Sequence, residues 1–202
     1  MKKCMLLLAG YPATGKSYMC RKILERFPYY VSINQDELKE AIWDEYGFDN
    51  LEEKNSCEMM AWEKYYQSID EAMENGKCII SDYPFSDKQK YHLNALAAKH
   101  DYTMITVRMT GDLEFLYQVS QKRDLDPKRH LGHMVSKYHK GDVMEDRSQA
   151  DCLVTYDIFM DRCLHKGYDS FQLGHLIEVD VTDRSKIDFA GILKQIENFM
   201  KD

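Results

Sequence analysis

The sequence predicts an α/β fold, a parallel sheet covered by helices on both faces. Short apolar or β-rich runs alternate with longer stretches of helical period from one end of the chain to the other. At 202 residues, 44% hydrophobic and 30% charged, the chain can bury one sizeable core but not two comfortable ones. No internal repeat, low-complexity tract or Gly/Ser linker divides it, so residues 1–202 are expected to form one domain.

Met5-Leu6-Leu7-Leu8-Ala9 reads as a buried first strand. Ser17 to Phe27 is a helix with Met19, Ile23, Leu24 and Phe27 on one side. Tyr29 to Ile33 is β-rich and reads as the second strand. Asn34 and Glu37, spaced as a capping box, open a helix to about Tyr46, which Gly47 to Asn50 break. Leu51 to Glu74 is a long helix with Trp62, Tyr65, Ile69 and Met73 at core spacing, and Gly76 stands where a C-terminal stop belongs. Lys77 to Asp82 is the third strand, with an acid at its carboxyl end. Asp87 to Lys99 is helical and Tyr102 to Val107 is the fourth strand. Helices are expected over Asp112 to about Lys122, over His133 to His139, and over Ala150 to His165 on length. Leu176 to Val181 supplies the fifth strand, and Ile187 to Met200 a last helix burying Ile192, Leu193, Ile196 and Phe199. In such a sheet, ligands bind at the carboxyl ends of the strands.

Composition removes several classes. Met1-Lys2-Lys3 heads an apolar run too short for the apolar region of a leader, and no stretch could span a membrane. The six cysteines (Cys4, Cys20, Cys57, Cys78, Cys152 and Cys163) form no C-x-x-C pair. That suits reduced thiols and a cytoplasmic location, and argues against structural zinc. Among the histidines, only His130 and His133 share an i,i+3 spacing, and no acid or thiol completes a metal set with them. Nothing in the sequence sets an oligomeric state. The net charge of −7 is uneven. Residues 121–140 hold six bases (Lys122, Arg123, Lys128, Arg129, Lys137, Lys140) against Asp124 and Asp126, whereas residues 36–74 hold thirteen acids against Lys39, Lys54 and Lys64.

The stretch with the clearest chemistry is Gly10-Tyr11-Pro12-Ala13-Thr14-Gly15-Lys16-Ser17. It fits G-x-x-x-x-G-K-[ST] between a strand and a helix, the context that motif requires. Its glycines let backbone N–H groups wrap a phosphate, Lys16 reaches the β- and γ-phosphates, and the Ser17 hydroxyl can ligate Mg²⁺. A nucleoside triphosphate ligand follows. A GTPase would need an Asn-Lys-x-Asp element, which is missing, and a motor ATPase would usually end its third strand in Asp-Glu, where this chain has Asp82-Tyr83. A small phosphotransferase needs only the loop, acids at neighbouring strand ends and a basic lid.

In these pieces the chain resembles the small P-loop kinases, most closely the 5′-hydroxyl kinase domain of phage-type polynucleotide kinase. The match is carried by the loop, by Ser32-Ile33-Asn34-Gln35-Asp36-Glu37, by Ile79-Ile80-Ser81-Asp82 and by Gln121-Lys122-Arg123, and covers roughly residues 1–140. The resemblance implies a P-loop NTPase three-layer sandwich with a five-stranded parallel sheet of order 2-3-1-4-5. It also implies a helical lid at about 118–145, ATP and Mg²⁺ as cofactors, and transfer of the γ-phosphate to a hydroxyl acceptor. Asp36 falls on the family's general base, although an acid in a first helical turn is also favoured by the helix dipole alone. Asp82 falls on an acid serving the metal shell or the acceptor. Arg123 falls on a lid arginine that clamps phosphates with Arg129 as a second, and Lys39 stands where the family has an acceptor-side arginine. Two further family arginines are replaced, by Gln35 and Val119.

The alternative is a nucleotide-binding switch or regulatory ATPase without an acceptor, in which Asp36 is structural. If there is an acceptor, the acid excess of residues 36–74 would repel a polyanion. A small neutral or cationic alcohol, such as a sugar or nucleoside, is therefore expected ahead of a long nucleic acid, with a 5′-hydroxyl end not excluded.

Overall fold

Five strands and seven α-helices alternate along residues 3–201, the part of the chain that the computed structural model describes. Met1, Lys2 and Asp202 lie outside the described residues. In order the elements are β1 (Cys4–Gly10), α1 (Lys16–Arg26), β2 (Val31–Ser32), α2 (Gln35–Tyr46), α3 (Leu51–Glu74) and β3 (Ile79–Asp82). Then follow α4 (Asp87–His100), β4 (Thr103–Thr110), α5 (Leu113–Asp124), α6 (Tyr156–His165), β5 (His175–Asp180) and α7 (Phe189–Phe199). The strands form one parallel sheet of order β2-β3-β1-β4-β5, the expected order.

β1 is central and wholly buried, so its alternating side chains feed both faces. Leu6 and Leu8 pack with Met19 and Ile23 of α1, Leu116 of α5 and Ile192 and Ile196 of α7. Met5, Leu7 and Ala9 pack on the other side with Tyr65, Ile69 and Met73 of α3 and Leu93 and Ala97 of α4. These are the three layers. α3 has the bounds its period predicted: Gly76 leaves the helix at φ 65°, as expected, and at the other end the Asn50 carboxamide oxygen accepts the Glu53 N–H at 2.9 Å.

Three expected elements are corrected. The second strand shrinks to two residues, because Tyr30 turns inward to pack against Cys4 and Met200. No helix forms over His133 to His139; a short 3-10 turn at Leu131–His133 leads into extended chain, and Tyr138 pairs with Phe48 in an antiparallel bridge. The helix expected from Ala150 starts only at Tyr156, capped by the Thr155 hydroxyl. In place of helices, the segment beyond α5 builds a third small core. Leu131, Met134, Val135, Tyr138 and Ala150 bury themselves against Ile42 and Trp43 of α2, Phe48, and Cys57 and Ala61 of α3. The basic segment is thereby docked along α2.

Candidate active site

Gly10 closes β1 at φ 109°, and a Cβ there would lie 1.9 Å from the carbonyl oxygen of Met109 in β4. Only glycine lets the chain leave the sheet this close to its neighbour. Tyr11 N–H then donates to that same oxygen at 3.1 Å. Ala13 at φ 64° and Gly15 at φ 90° continue in left-handed conformations, the backbone pattern of anion-binding nests. Lys16 opens α1 and is only 8% exposed. Its ammonium donates to the Tyr11 carbonyl at 2.6 Å, the Gly10 carbonyl at 3.3 Å and the Thr14 hydroxyl at 3.4 Å. Burial lowers Lys16 to about 8; the charges of Asp82 and Asp36 oppose the shift and that of Arg123 adds to it. These four groups therefore share one electrostatic neighbourhood.

Asp82, at the carboxyl end of β3, holds two partners. Ser17 Oγ donates to its Oδ2 at 2.6 Å and Asn34 Nδ2 to its Oδ1 at 2.7 Å. The other end of the Asn34 amide accepts the N–H groups of Asp36 at 2.8 Å and Glu37 at 3.2 Å, capping α2. One hydrogen-bonded chain thus runs from the loop serine through Asp82 and Asn34 to the backbone of Asp36. Asn34 was legible in the sequence as a cap, but its grip on Asp82 was not.

The Asp36 carboxylate is partly exposed and pairs with Lys39 Nζ at 3.0 Å. Burial pushes this carboxyl up, but the charges of Lys39, His133 and Arg129 outweigh it and hold it well below the usual range. Lys39 points inward, 8% exposed, with its ammonium 5.3 Å from the Trp43 ring and 5.9 Å from that of Tyr83. Arg123, in the last turn of α5, is held by Asp124 (Nε–Oδ1 2.9 Å) and by Ser120 Oγ at 3.3 Å. Arg129 comes five residues after α5, and its Nε is buried without a hydrogen-bond partner. His133, which sequence reasoning left aside, faces α2: burial lowers it to about 4, so at neutral pH its Nε2–H donates as a neutral ring to Glu40 Oε1 at 2.6 Å. Arg184 was also missed, having no motif around it. Its guanidinium donates to the Ala13 carbonyl at 3.1 Å and lies 5.5 Å from the Phe115 ring, so it buttresses the loop.

Position 35 is interior. Gln35 is wholly buried, and both polar atoms of its amide lack a partner. Gln35→Met keeps the length and helix propensity while removing two unsatisfied groups. We expect it to raise the free energy of unfolding by about 1–2 kcal/mol in urea titrations; a loss of stability would mean that the amide is engaged.

The acids of residues 36–74 do not line this site as a wall. Glu37, Glu45, Asp49, Glu52, Glu53, Glu63, Glu71 and Glu74 are exposed, whereas Lys39 and Lys54 are buried. Only part of that acid excess, with Asp36, Glu40 and Asp44 of α2 at its head, therefore faces the site.

A phosphate-loop lysine, a serine–aspartate pair at the end of β3 and a sheet of order β2-β3-β1-β4-β5 give the protein the fold of the small P-loop kinases. The chain belongs to the AAA_33 family of AAA domains, which it matches over residues 5–139. Among solved structures it resembles an inferred kinase from Chloroflexus aurantiacus j-10-fl at 20% identity and TM-score 0.76, covering 98% of this chain and 99% of that one. It also resembles a sugar kinase from Janibacter sp. HTCC2649 at 10% identity and TM-score 0.52, covering 98% and 95%. No curated protein matches its sequence. Among the described residues, no helix is long and apolar enough to cross a membrane.

Proposed function

We propose that the protein is an ATP- and Mg²⁺-dependent phosphotransferase that moves the γ-phosphate to the hydroxyl of an acceptor bound beside Asp36. The observation that carries this reading is the chain Ser17–Asp82–Asn34–Asp36. It joins the hydroxyl of the phosphate loop and the candidate base in one rigid unit. Ser17 Oγ and the Asp82 carboxylate, two hard oxygens side by side, fit Mg²⁺ and would hold it directly or through water. Bound there, the ion supplies charge neutralisation on the phosphate oxygens.

Lys16 and the backbone of residues 10–15 hold the triphosphate, and Arg123 adds a guanidinium to the phosphate side. Asp36 orients the acceptor hydroxyl and takes its proton. As it does so, the hydroxyl oxygen bonds to the γ-phosphorus and the β,γ-bridging oxygen leaves with its electron pair on ADP. Residues 118–145, docked on α2 through the third core, are the lid of a single domain. Six scattered cysteines without a C-x-x-C pair suit a cytoplasmic setting.

One observation favours the nucleotide switch: Asp36 already has a partner in Lys39. Incubation with γ-labelled ATP and a broad panel of hydroxyl compounds separates the two readings. Transfer to an acceptor is expected. ATP-dependent binding of a partner with no labelled acceptor would establish the switch instead.

A further inference from the structure

We propose that Cys4 and Cys78 form a reversible disulfide, a redox modification site at the amino ends of β1 and β3, away from the strand ends that carry the phosphate loop and Asp82.

The register of the sheet puts the two residues together. β1 and β3 run parallel, with Met5 beside Ile79 and Leu6 beside Ile80. One step back along both chains, Cys4 stands beside Cys78. In a parallel pair, residues at the same level point to the same face. Met5 and Ile79 share the core on the α3 side, so Cys4 and Cys78 turn to the α1 side, and both pack in the core there. The backbone is held at this level too. Thr103 N–H donates to the Lys3 carbonyl at 3.0 Å, and Val31 N–H donates to the Cys78 carbonyl at 2.8 Å. Neighbouring strands lie about 4.8 Å apart, inside the roughly 4.4–6.8 Å range of Cα separations that a disulfide spans. The two thiols are themselves in hydrogen-bonding contact.

The sulfurs differ as an attacking and a resolving thiol must. Cys4 is wholly buried, with the Tyr30 hydroxyl 2.8 Å from its sulfur, whereas Cys78 is partly exposed. Donation from the Cys4 thiol lowers Cys78 to about 6, and the same bond together with burial raises Cys4. Cys78 is therefore the thiolate that an oxidant in solution meets first. With a low-molecular-weight disulfide such as glutathione disulfide, the Cys78 thiolate attacks one sulfur and the S–S bond breaks, releasing one glutathione as its thiolate. Cys4 then loses its proton to solvent and attacks the Cys78 sulfur, expelling the second glutathione. Two protein thiols are oxidised to one disulfide, and one glutathione disulfide is reduced to two thiols. Excess reduced glutathione runs both steps backwards, as for the transient, redox-sensing disulfides of a reducing compartment.

The bond acts on stability. It closes residues 4–78 into one loop and so restrains the unfolded chain. The phosphate loop begins at Gly10, about 20 Å further along β1.

The test equilibrates the protein in glutathione buffers from fully reduced to fully oxidised, traps the thiols by alkylation in acid, and reads intact mass and peptide maps. We expect the oxidised protein to lose two hydrogens, a linked Cys4–Cys78 peptide pair to account for them, and dithiothreitol to restore both thiols. The urea midpoint should rise on oxidation and return on reduction. Cys78→Ser should abolish the response, Cys4→Ser should stop at a mixed disulfide of Cys78 with glutathione, and Cys152→Ser should respond like the wild-type protein. ATP binding by each variant will show that it is folded, and the wild-type peptide map decides the pairing without any variant. No loss of hydrogens at any glutathione ratio, a loss mapped to another pair, or glutathione retained on wild-type Cys78 without closure would each overturn the inference. A midpoint that oxidation leaves unchanged or lowers would overturn the stabilising role.

Discussion

Asp36→Asn is expected to cut phosphoryl transfer by about 10²–10⁴-fold, the usual contribution of a general base, while leaving ATP affinity within about twofold. The substitution is nearly isosteric. The backbone N–H of residue 36 keeps its bond to Asn34, and an amide oxygen can still accept from Lys39, so the start of α2 and the grip of Asn34 on Asp82 should survive. What is lost is a site for the hydroxyl proton. The folded-state carboxyl lies below its unfolded value, so its ionisation favours the fold at pH above about 4 and that contribution is lost as pH falls through the depressed value. Asp36 consequently stays ionised across neutral pH in the free protein, and any acid limb of kcat/KM near pH 5–7 must come from another group. Single-turnover rates and ATP titrations of the variant check the split. A variant of near-normal rate would remove Asp36 from the chemistry and leave it as a helix-start residue paired with Lys39.

Much of the fold was legible because its signals are local. β1 is an unbroken apolar run and α3 carries both a core stripe and caps, so their extents follow from period and capping. The segment 125–155 was not legible, because long-range contacts decide it. A helix is expected over His133 to His139, yet His130, His133 and Tyr138 are each drawn to a carboxylate on α2, and Met134 and Val135 to the third core. Tertiary pairing there overrides local propensity. The Thr155 cap was a signal that went unread: it sets the start of α6 six residues after the expected one.

The site divides in the same way. The loop announced itself by spacing, and Asp82 by its place at a strand end. A count of thirteen acids against three lysines, however, says nothing about which way any of them points. The orientation was encoded all the same. Lys39 lies four residues after Gln35 and four before Trp43, on the buried stripe of α2, and Lys54 lies three before Cys57 and seven before Ala61, on that of α3. Reading charge along those stripes instead of along the chain places the cations inside. His133 had no such signature; only the docking of the segment beyond α5 brings it, with Arg129, into the surroundings of Asp36.

Lys16→Met is expected to weaken ATP binding and to lower the transfer rate, the latter by about 10²–10³-fold, the scale on which a preorganised charge acts on a transition state. Methionine keeps the unbranched length of the chain but cannot donate to the Gly10 and Tyr11 carbonyls or to phosphate oxygens. The titration of Lys16 supplies a sharper measurement. Burial brings its ammonium down to about 8 in the free protein, and an arriving triphosphate, being negative, must push it back up. ATP binding at pH 9 should therefore take up a proton, visible as a difference in calorimetric heat between buffers of unequal ionisation enthalpy. ATP affinity should fall as pH rises above about 8, and Lys16→Met should abolish the uptake. The sign for stability runs with it. Between about 8 and the unfolded value of 10.5, the unfolded chain binds the extra proton, so the Lys16 contribution to stability rises with pH through that window. Below it, at neutral pH, the buried charge opposes folding, so Lys16→Met should melt at or above the wild-type temperature while binding ATP less well. Proton uptake that persists in Lys16→Met, or none in the wild-type protein, would show that this lysine does not titrate with the nucleotide.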